Sequence, residues 1–309
     1  MNTKRAGWVF FWMTVAFLVV SLTIGLAFPK LGIAGSALFS ELCLLVPAFI
    51  FVSKGKVNLA SQLHIKGVRL STVLLVIVYH ICCYPAVIAM NALTLAVSNN
   101  AALDITEQFL GESKLAMWLF IGVIGPVVEE LIFRGVILGG LRTTGRIFSA
   151  IVLSALLFAL IHMNLNQFSY TFVMGIYWGL LAEATGSLIP SMICHVIINS
   201  VSVIMTFVSY GSLDELNALL GDMPEENVTV YITTGIVFLV ISVFTTVLAM
   251  MMLKVISLNE GRTGCFENIF RKKMPAEKYG RLFSVPMAAG IMISAAVMVL
   301  SLVLERTGL

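Results

Sequence analysis

The sequence predicts an all-α polytopic membrane protein with about nine transmembrane helices and a functional core in the fourth to the seventh. Three observations carry this. The 309 residues are 59% hydrophobic and 11% charged, where a soluble domain carries about 25% charged residues. Apolar runs of about twenty residues recur along the chain, the length that crosses roughly 30 Å of hydrocarbon. No long alternating pattern of a barrel strand is present, and helices satisfy every backbone group within lipid.

The first span is expected over 7–28, behind Lys4 and Arg5. A basic start before an apolar run is signal-peptide-like. The run of about 22 residues lacks a small-x-small cleavage pattern, so it reads as an uncleaved first span. Spans two and three are placed at 32–53 and 71–96. Between them, 54–70 mixes basic and apolar residues, as a segment at the membrane interface does. The fourth span is placed at 114–141, the fifth and sixth at 146–163 and 167–185, and the seventh at 187–209. The last two fall at 229–255 and 283–304. This divides the chain into N-terminal spans with the interfacial segment (1–113), a core (114–209), and C-terminal spans with a basic loop (210–309).

Charge placement orients the spans. On one side lie Lys4 and Arg5, four basic residues between 54 and 69, Arg142 and Arg146, and seven between 254 and 281. The opposite side has Lys30, Lys114 and Arg306, while its 97–113 and 210–228 loops carry acids such as Asp104, Glu112, Asp214 and Glu226. An excess of Lys and Arg marks the cytoplasmic side, so the N-terminus is expected there. The basic 256–281 loop reads as contact with anionic lipid. A net charge of +3 gives no nucleic-acid signal. Cys43, Cys82, Cys83, Cys194 and Cys265 form no CxxC pair, and are expected as packing thiols.

One stretch breaks the apolar pattern. Glu129, Glu130 and Arg134 sit inside the run from Leu115 to Leu141, where a charge costs a few kcal/mol or more unless paired or functional. Pro126, three residues earlier, opens the helix ladder and is expected to kink it. Glu130 and Arg134 are spaced i, i+4 and are expected to pair. Glu129 is left as the free acid, suited to general acid or base work. His162 ends the fifth span, one turn after Phe158. His195 and Asn199 share a face of the seventh, where an imidazole and an amide can donate to a developing oxyanion or hydrogen-bond neighbouring helices. At about 1.5 Å per residue, Glu129, His162, His195 and Asn199 all fall in the middle of the bilayer. Glu41 and His80 are expected to pair or line a cavity. Glu183 is expected to reach the cytoplasmic interface, and His64 to lie in the interfacial segment. Gly175, Gly179, Gly186 and Pro190 suggest a broken or splayed helix as an opening.

The motifs Glu-Glu-x-x-x-Arg at 129–134, Phe-x-x-x-His at 158–162 and His-x-x-x-Asn at 195–199 resemble, in order and spacing, those of the CPBP family. These are the CAAX-processing and bacteriocin-processing intramembrane proteases, also called the Abi family. The resemblance covers about 114–209. It implies proteolysis of a peptide or membrane-protein substrate within the bilayer. By the same resemblance Glu129 and His162 would activate water, His195 and Asn199 would stabilise the oxyanion, and Glu130 with Arg134 would hold the architecture. No metal is favoured, since no His-Glu-x-x-His lies on one helix. The alternative is zinc on Glu129, His162 and His195. Two other readings stay open: a non-enzymatic membrane binding or bacteriocin-immunity protein using the same cluster, and a transporter or ion pathway.

Overall fold

A computed structural model describes residues 2–28, 31–54, 63–98, 111–220, 228–270 and 280–307. Among them every regular element is a helix. We label Thr3–Ala27 α1, Ile33–Lys54 α2, Leu70–Leu95 α3, the continuous Lys114–Thr144 segment α4, Ile147–Leu160 α5, Leu165–Thr185 α6, Ile189–Leu220 α7, Val228–Asn259 α8, Cys265–Phe270 α9 and Val285–Thr307 α10. The acidic stretches around Asp104 and Asp222 and the basic residues 271–278 lie outside the described residues, as does most of 54–62.

Local chemistry sets the helix ends. Asn2 Oδ1 accepts from the Arg5 N–H at 3.0 Å and caps α1. The Glu260 carboxylate does the same for α3 from across the fold, accepting from the Arg69 N–H at 3.0 Å and from the Thr72 hydroxyl. Asn164 caps α6, and Gly186, at φ 66°, closes it in the left-handed conformation that glycine adopts without strain. The interfacial segment is tied down where it resumes. Ser187 Oγ donates to Lys66 O at 2.6 Å and the Leu188 N–H to His64 O at 3.3 Å.

Seven of the described helices are long and apolar enough to cross a membrane: α1, α2, α3, α4, α7 over Ile189–Val208, α8 and α10. The chain is a multi-pass membrane protein. The other two expected spans also form helices but fall short for different reasons. Helix α5 has 14 residues, about 21 Å, because it ends at Leu160 rather than near 163. Helix α6 has 21 residues but opens on the polar run Asn166, Gln167, Ser169, Tyr170 and Thr171.

Packing separates inner from outer helices. Helix α3 lies along α8, α6 along α5, α1 along α10, and α7 against the first half of α4. Helix α8 turns Val240, Phe244, Val247 and Met251 outward, the composition expected of a lipid-facing surface. Phe133, Ile137, Leu141, Leu157, Phe158, Trp178 and Leu181 are fully or almost fully buried where α4, α5 and α6 meet. Gly175 and Gly179 do not open a gap there. A Cβ on Gly175 would stand 2.8 Å from that of Ala155, and one on Gly179 2.8 Å from Ile151 Cγ2. These glycines let α6 approach α5 closely. The five cysteines are free, and all but Cys43 are buried, as packing thiols are.

Candidate active site

Helix α4 is not a uniform α-helix. Its turns widen to π geometry over Trp118–Ile124 and again over Leu131–Ile137, on either side of an α-helical Gly125–Glu130. Such wide turns recur at functional sites. Pro126 explains the first. The Gly125 N–H reaches Phe120 O, five residues back. In that register position 126 would bond Ile121 O, and in an α register Gly122 O, but proline has no N–H to give. Helix α7 supplies both bonds instead. Asn199 Nδ2 donates to Ile121 O at 3.2 Å, and Ser200 Oγ donates to Gly122 O at 3.3 Å. The expected disturbance at Pro126 is thus a widened helix stitched to its neighbour.

That stitch brings α7 against the acidic turn. Glu130 is fully buried, and its Oε1 lies 2.8 Å from Arg134 Nη1. The same oxygen takes His195 Nδ1 at 3.2 Å. Glu130 therefore serves two partners, where helical spacing assigned it one. Glu129 faces the other way. Its Oε2 lies 3.4 Å from His195 Nε2 and its Oε1 3.9 Å from His162 Nε2. The two glutamates and two histidines expected from three separate helices meet within one cluster, with His195 between the carboxylates. Asn199 lies beside it, one N–H committed to Ile121 O.

The hydrogen-bond partners decide which ring nitrogens carry protons. His162 Nδ1 is 2.9 Å from Phe158 O. A carbonyl accepts and cannot donate, so Nδ1 holds the hydrogen and the neutral ring turns its Nε2 lone pair towards Glu129. The Glu130 carboxylate, paired with Arg134, likewise makes His195 Nδ1 a donor. His162 sits not in α5 but in the turn behind it. There Met163 adopts φ 50°, a sparsely populated conformation of the kind stored at functional sites.

Aromatic rings hold this arrangement. The Phe158 ring is edge-on to His162 at 5.1 Å and to His195 at 5.7 Å, and the Arg134 guanidinium lies over it at 4.4 Å. Trp178 stacks on the His195 imidazole at 4.2 Å with an interplanar angle of 29°. Nothing in the sequence singles out Trp178, an aromatic in an apolar helix. Its role follows from which ring it covers.

Glu129 opens onto a cavity of about 570 Å³. Glu41 from α2, Tyr84 and Asn91 from α3, Asn166 and Tyr170 from α6, and Ser202 from α7 line it together with Glu129. Every one of these lies between Glu129 and the end of the bundle where α2 and α6 begin and α3 finishes. The cavity thus runs from the site towards that end, away from the end that carries Lys54, Arg69, Arg142 and Arg262. Glu41 lines the cavity, as expected for it; His80 stands edge-on to Tyr84 at 6.1 Å and is not among the lining residues. Glu183 is buried at the basic end, 3.1 Å from Arg142 Nε and 3.7 Å from Arg262 Nη2. It ties α4, α6 and the start of α9 together and is not exposed at an interface.

Zinc is a poor fit to these donors. Glu129 approaches both Nε2 atoms, but among the described residues no three His, Cys, Asp or Glu side chains converge closely enough to hold a metal ion. Four-coordinate zinc needs its ligands at about 2.0–2.3 Å from one point.

Residues 111–201 match the family described as Type II CAAX prenyl endopeptidase Rce1-like. The resemblance drawn from the three motifs therefore holds over the segment that contains them. The chain is also 30% identical over 83 residues to the Putative membrane peptidase YdiL of Bacillus subtilis (strain 168). That match spans 27% of this chain and 34% of the relative, about a third of its length. No solved structure matches.

Proposed function

From the Rce1-like likeness of residues 111–201, we propose that this chain is an intramembrane endopeptidase. It hydrolyses peptide bonds of a peptide or membrane-associated protein within the bilayer. The observation that carries the reading is the pair of acceptors facing one point, the Glu129 carboxylate and the His162 Nε2 lone pair, 3.9 Å apart, with Glu129 at the inner end of a cavity. A water between two acceptors directs both hydrogens at them and its lone pair outward, at a substrate carbonyl. In the reaction the water oxygen bonds the carbonyl carbon and its proton passes to Glu129. The same proton then goes to the leaving amide nitrogen as the C–N bond breaks.

The resulting oxyanion needs donors. Asn199 keeps one amide N–H beyond its bond to Ile121 O and supplies one. His195 supplies the other when its Nε2 is protonated, with the anionic Glu130 at Nδ1 supporting the imidazolium. Glu130 and Arg134 are positioning residues that act through His195 and the helix packing. We assign no metal to the reaction, since among the described residues no three ligand side chains are arranged to hold one. Residues 114–209 are taken as the protease core, between N-terminal and C-terminal helices that close the bundle. The clustering of basic residues at one end supports a cytoplasmic N-terminus, and the location we propose is the cell membrane.

The test is comparative peptidomics of a Glu129→Ala strain against its parent. Peptides that disappear, with the variant protein at normal membrane levels, are expected. An unchanged peptide profile, together with full cleavage by Glu129→Ala and His162→Ala, would sink the proposal.

A further inference from the structure

The mechanism leaves unused one acid that lines the cavity, the half-buried Glu41. Glu41 stands on α2, facing Gly125 across the helix interface. Its Oε1 is 3.6 Å from the place a Cβ on Gly125 would occupy. Its Oε2 is sealed from solvent and has no hydrogen-bond partner. Glu129 and Glu130 have His162, His195 and Arg134 as partners. No ion pair or hydrogen bond of Glu41 is found among the described residues. An acid kept without a partner at membrane depth is costly, and that cost is relieved when the missing partner is a ligand.

The chemistry of that ligand follows from the cavity wall. Among the described residues, Glu41 and Glu129 are its two ionisable acids, and neither lysine, arginine nor histidine lines it. The remaining polar wall is amide, hydroxyl and phenol, with Tyr84 and Tyr170 adding aromatic rings. Acid, carbonyl and aromatic face together attract a cation. Among the described residues anionic groups find no basic partner here, since Arg134 beside the site is engaged by Glu130 at 2.8 Å.

We propose that Glu41 is a specificity residue that receives a cationic group of the substrate, an alkylammonium or guanidinium, while the neighbouring peptide bond lies at Glu129. The inference rests on the proteolytic reading for calling the ligand a substrate. The cation site itself can be read by binding alone.

The experiment uses the full chain, purified in detergent and carrying Glu129→Gln so that nothing is cleaved. Three fluorescein-labelled apolar octapeptides are titrated by anisotropy. One is blocked at both ends with a central lysine, one is blocked with norleucine in its place, and one has norleucine and a free amino terminus. The lysine peptide is expected to bind at least about tenfold more tightly than the blocked norleucine peptide. The preference is expected to vanish with Glu41→Gln, at an unchanged melting temperature, and to return in part with Glu41→Asp. A matching Glu41-dependent gain by the free-amine peptide assigns the cation to a chain terminus and supports the site equally. Equal binding of all three, binding of none, or a lysine preference that survives Glu41→Gln overturns it. A Glu41-dependent preference in a protein whose native form cleaves nothing keeps the site and removes the protease reading. Glu129-dependent cleavage that is indifferent to lysine does the reverse.

Discussion

Replacing Glu130 by glutamine keeps the shape of the side chain and removes its charge. Arg134 then remains as a guanidinium with 1% of its side chain exposed, opposite a partner at 2.8 Å that is no longer anionic. What is left to it is a long bond to Gly175 O at 3.4 Å and the faces of Phe158 and Trp178 at 4.4 and 5.4 Å. Removing one partner of a buried ion pair costs about 3–5 kcal/mol. The amide oxygen still accepts a bond, so the lower end applies, about 3 kcal/mol, or roughly a hundredfold in the folded-to-unfolded ratio. The assay is thermal unfolding of purified protein at a fixed detergent ratio, for Glu130→Gln, Arg134→Met and the double variant. The single variants are expected to melt well below the parent, and the double to recover most of the loss, because an uncharged glutamine–methionine pair leaves no orphaned charge. Cleavage is not expected to recover in the double variant, since His195 Nδ1 has still lost its anionic acceptor at 3.2 Å. A Glu130→Gln protein that melts with the parent, or a double variant as unstable as the singles, would refute the reasoning.

Four further outcomes follow from the same geometry. Glu129→Gln is expected to slow cleavage by about 100- to 10,000-fold with melting unchanged, because Glu129 borders the cavity; normal turnover in a peptide-release assay would contradict its role as base. Asn199→Ala removes an oxyanion donor and the bond to Ile121 O. It is expected to lower kcat by about a hundredfold while costing stability about 1 kcal/mol, and a pure stability effect in kinetics and melting would leave Asn199 as helix glue alone. Chelator-treated protein is expected to cleave at the untreated rate, with no stoichiometric zinc by elemental analysis; loss of activity restored by zinc would reverse the assignment. Gly175→Val pushes a branched side chain into Ala155, already 2.8 Å from a simple Cβ. A loss of about 1–3 kcal/mol from overpacking is expected in the same melting assay, and an unperturbed protein would show that α5 and α6 are not in close contact.

The Glu130–Arg134 pair was legible because a helix places i and i+4 on one face whatever surrounds it. The convergence of Glu129, His162 and His195 was legible from depth, since rise per residue converts numbering into height in the bilayer. The end of α5 at Leu160 is not legible to the residue, because the run Leu160-Ile161-His162-Met163 stays largely apolar past the point where the chain turns. The glycines of α6 were read as an opening, yet a missing side chain serves close packing as readily as it serves a gap. Trp178 was invisible, one aromatic among many.

By itself the sequence determined that this is a helical membrane protein with its polar groups in one stretch of helices. Hydrophobic run length and helical period act locally, and lipid leaves the backbone no other closed form. The tertiary structure decided that Glu130 serves both Arg134 and His195, that Asn199 spends one N–H on a carbonyl left free at Pro126, and that Glu41 on a distant helix shares the cavity with Glu129. The placements of His195, Asn199 and Glu41 are relations between helices, set by rotation and packing distance rather than by spacing along one chain. The charges at 129, 130 and 134 mark the site, but the helices packed around them divide its functions.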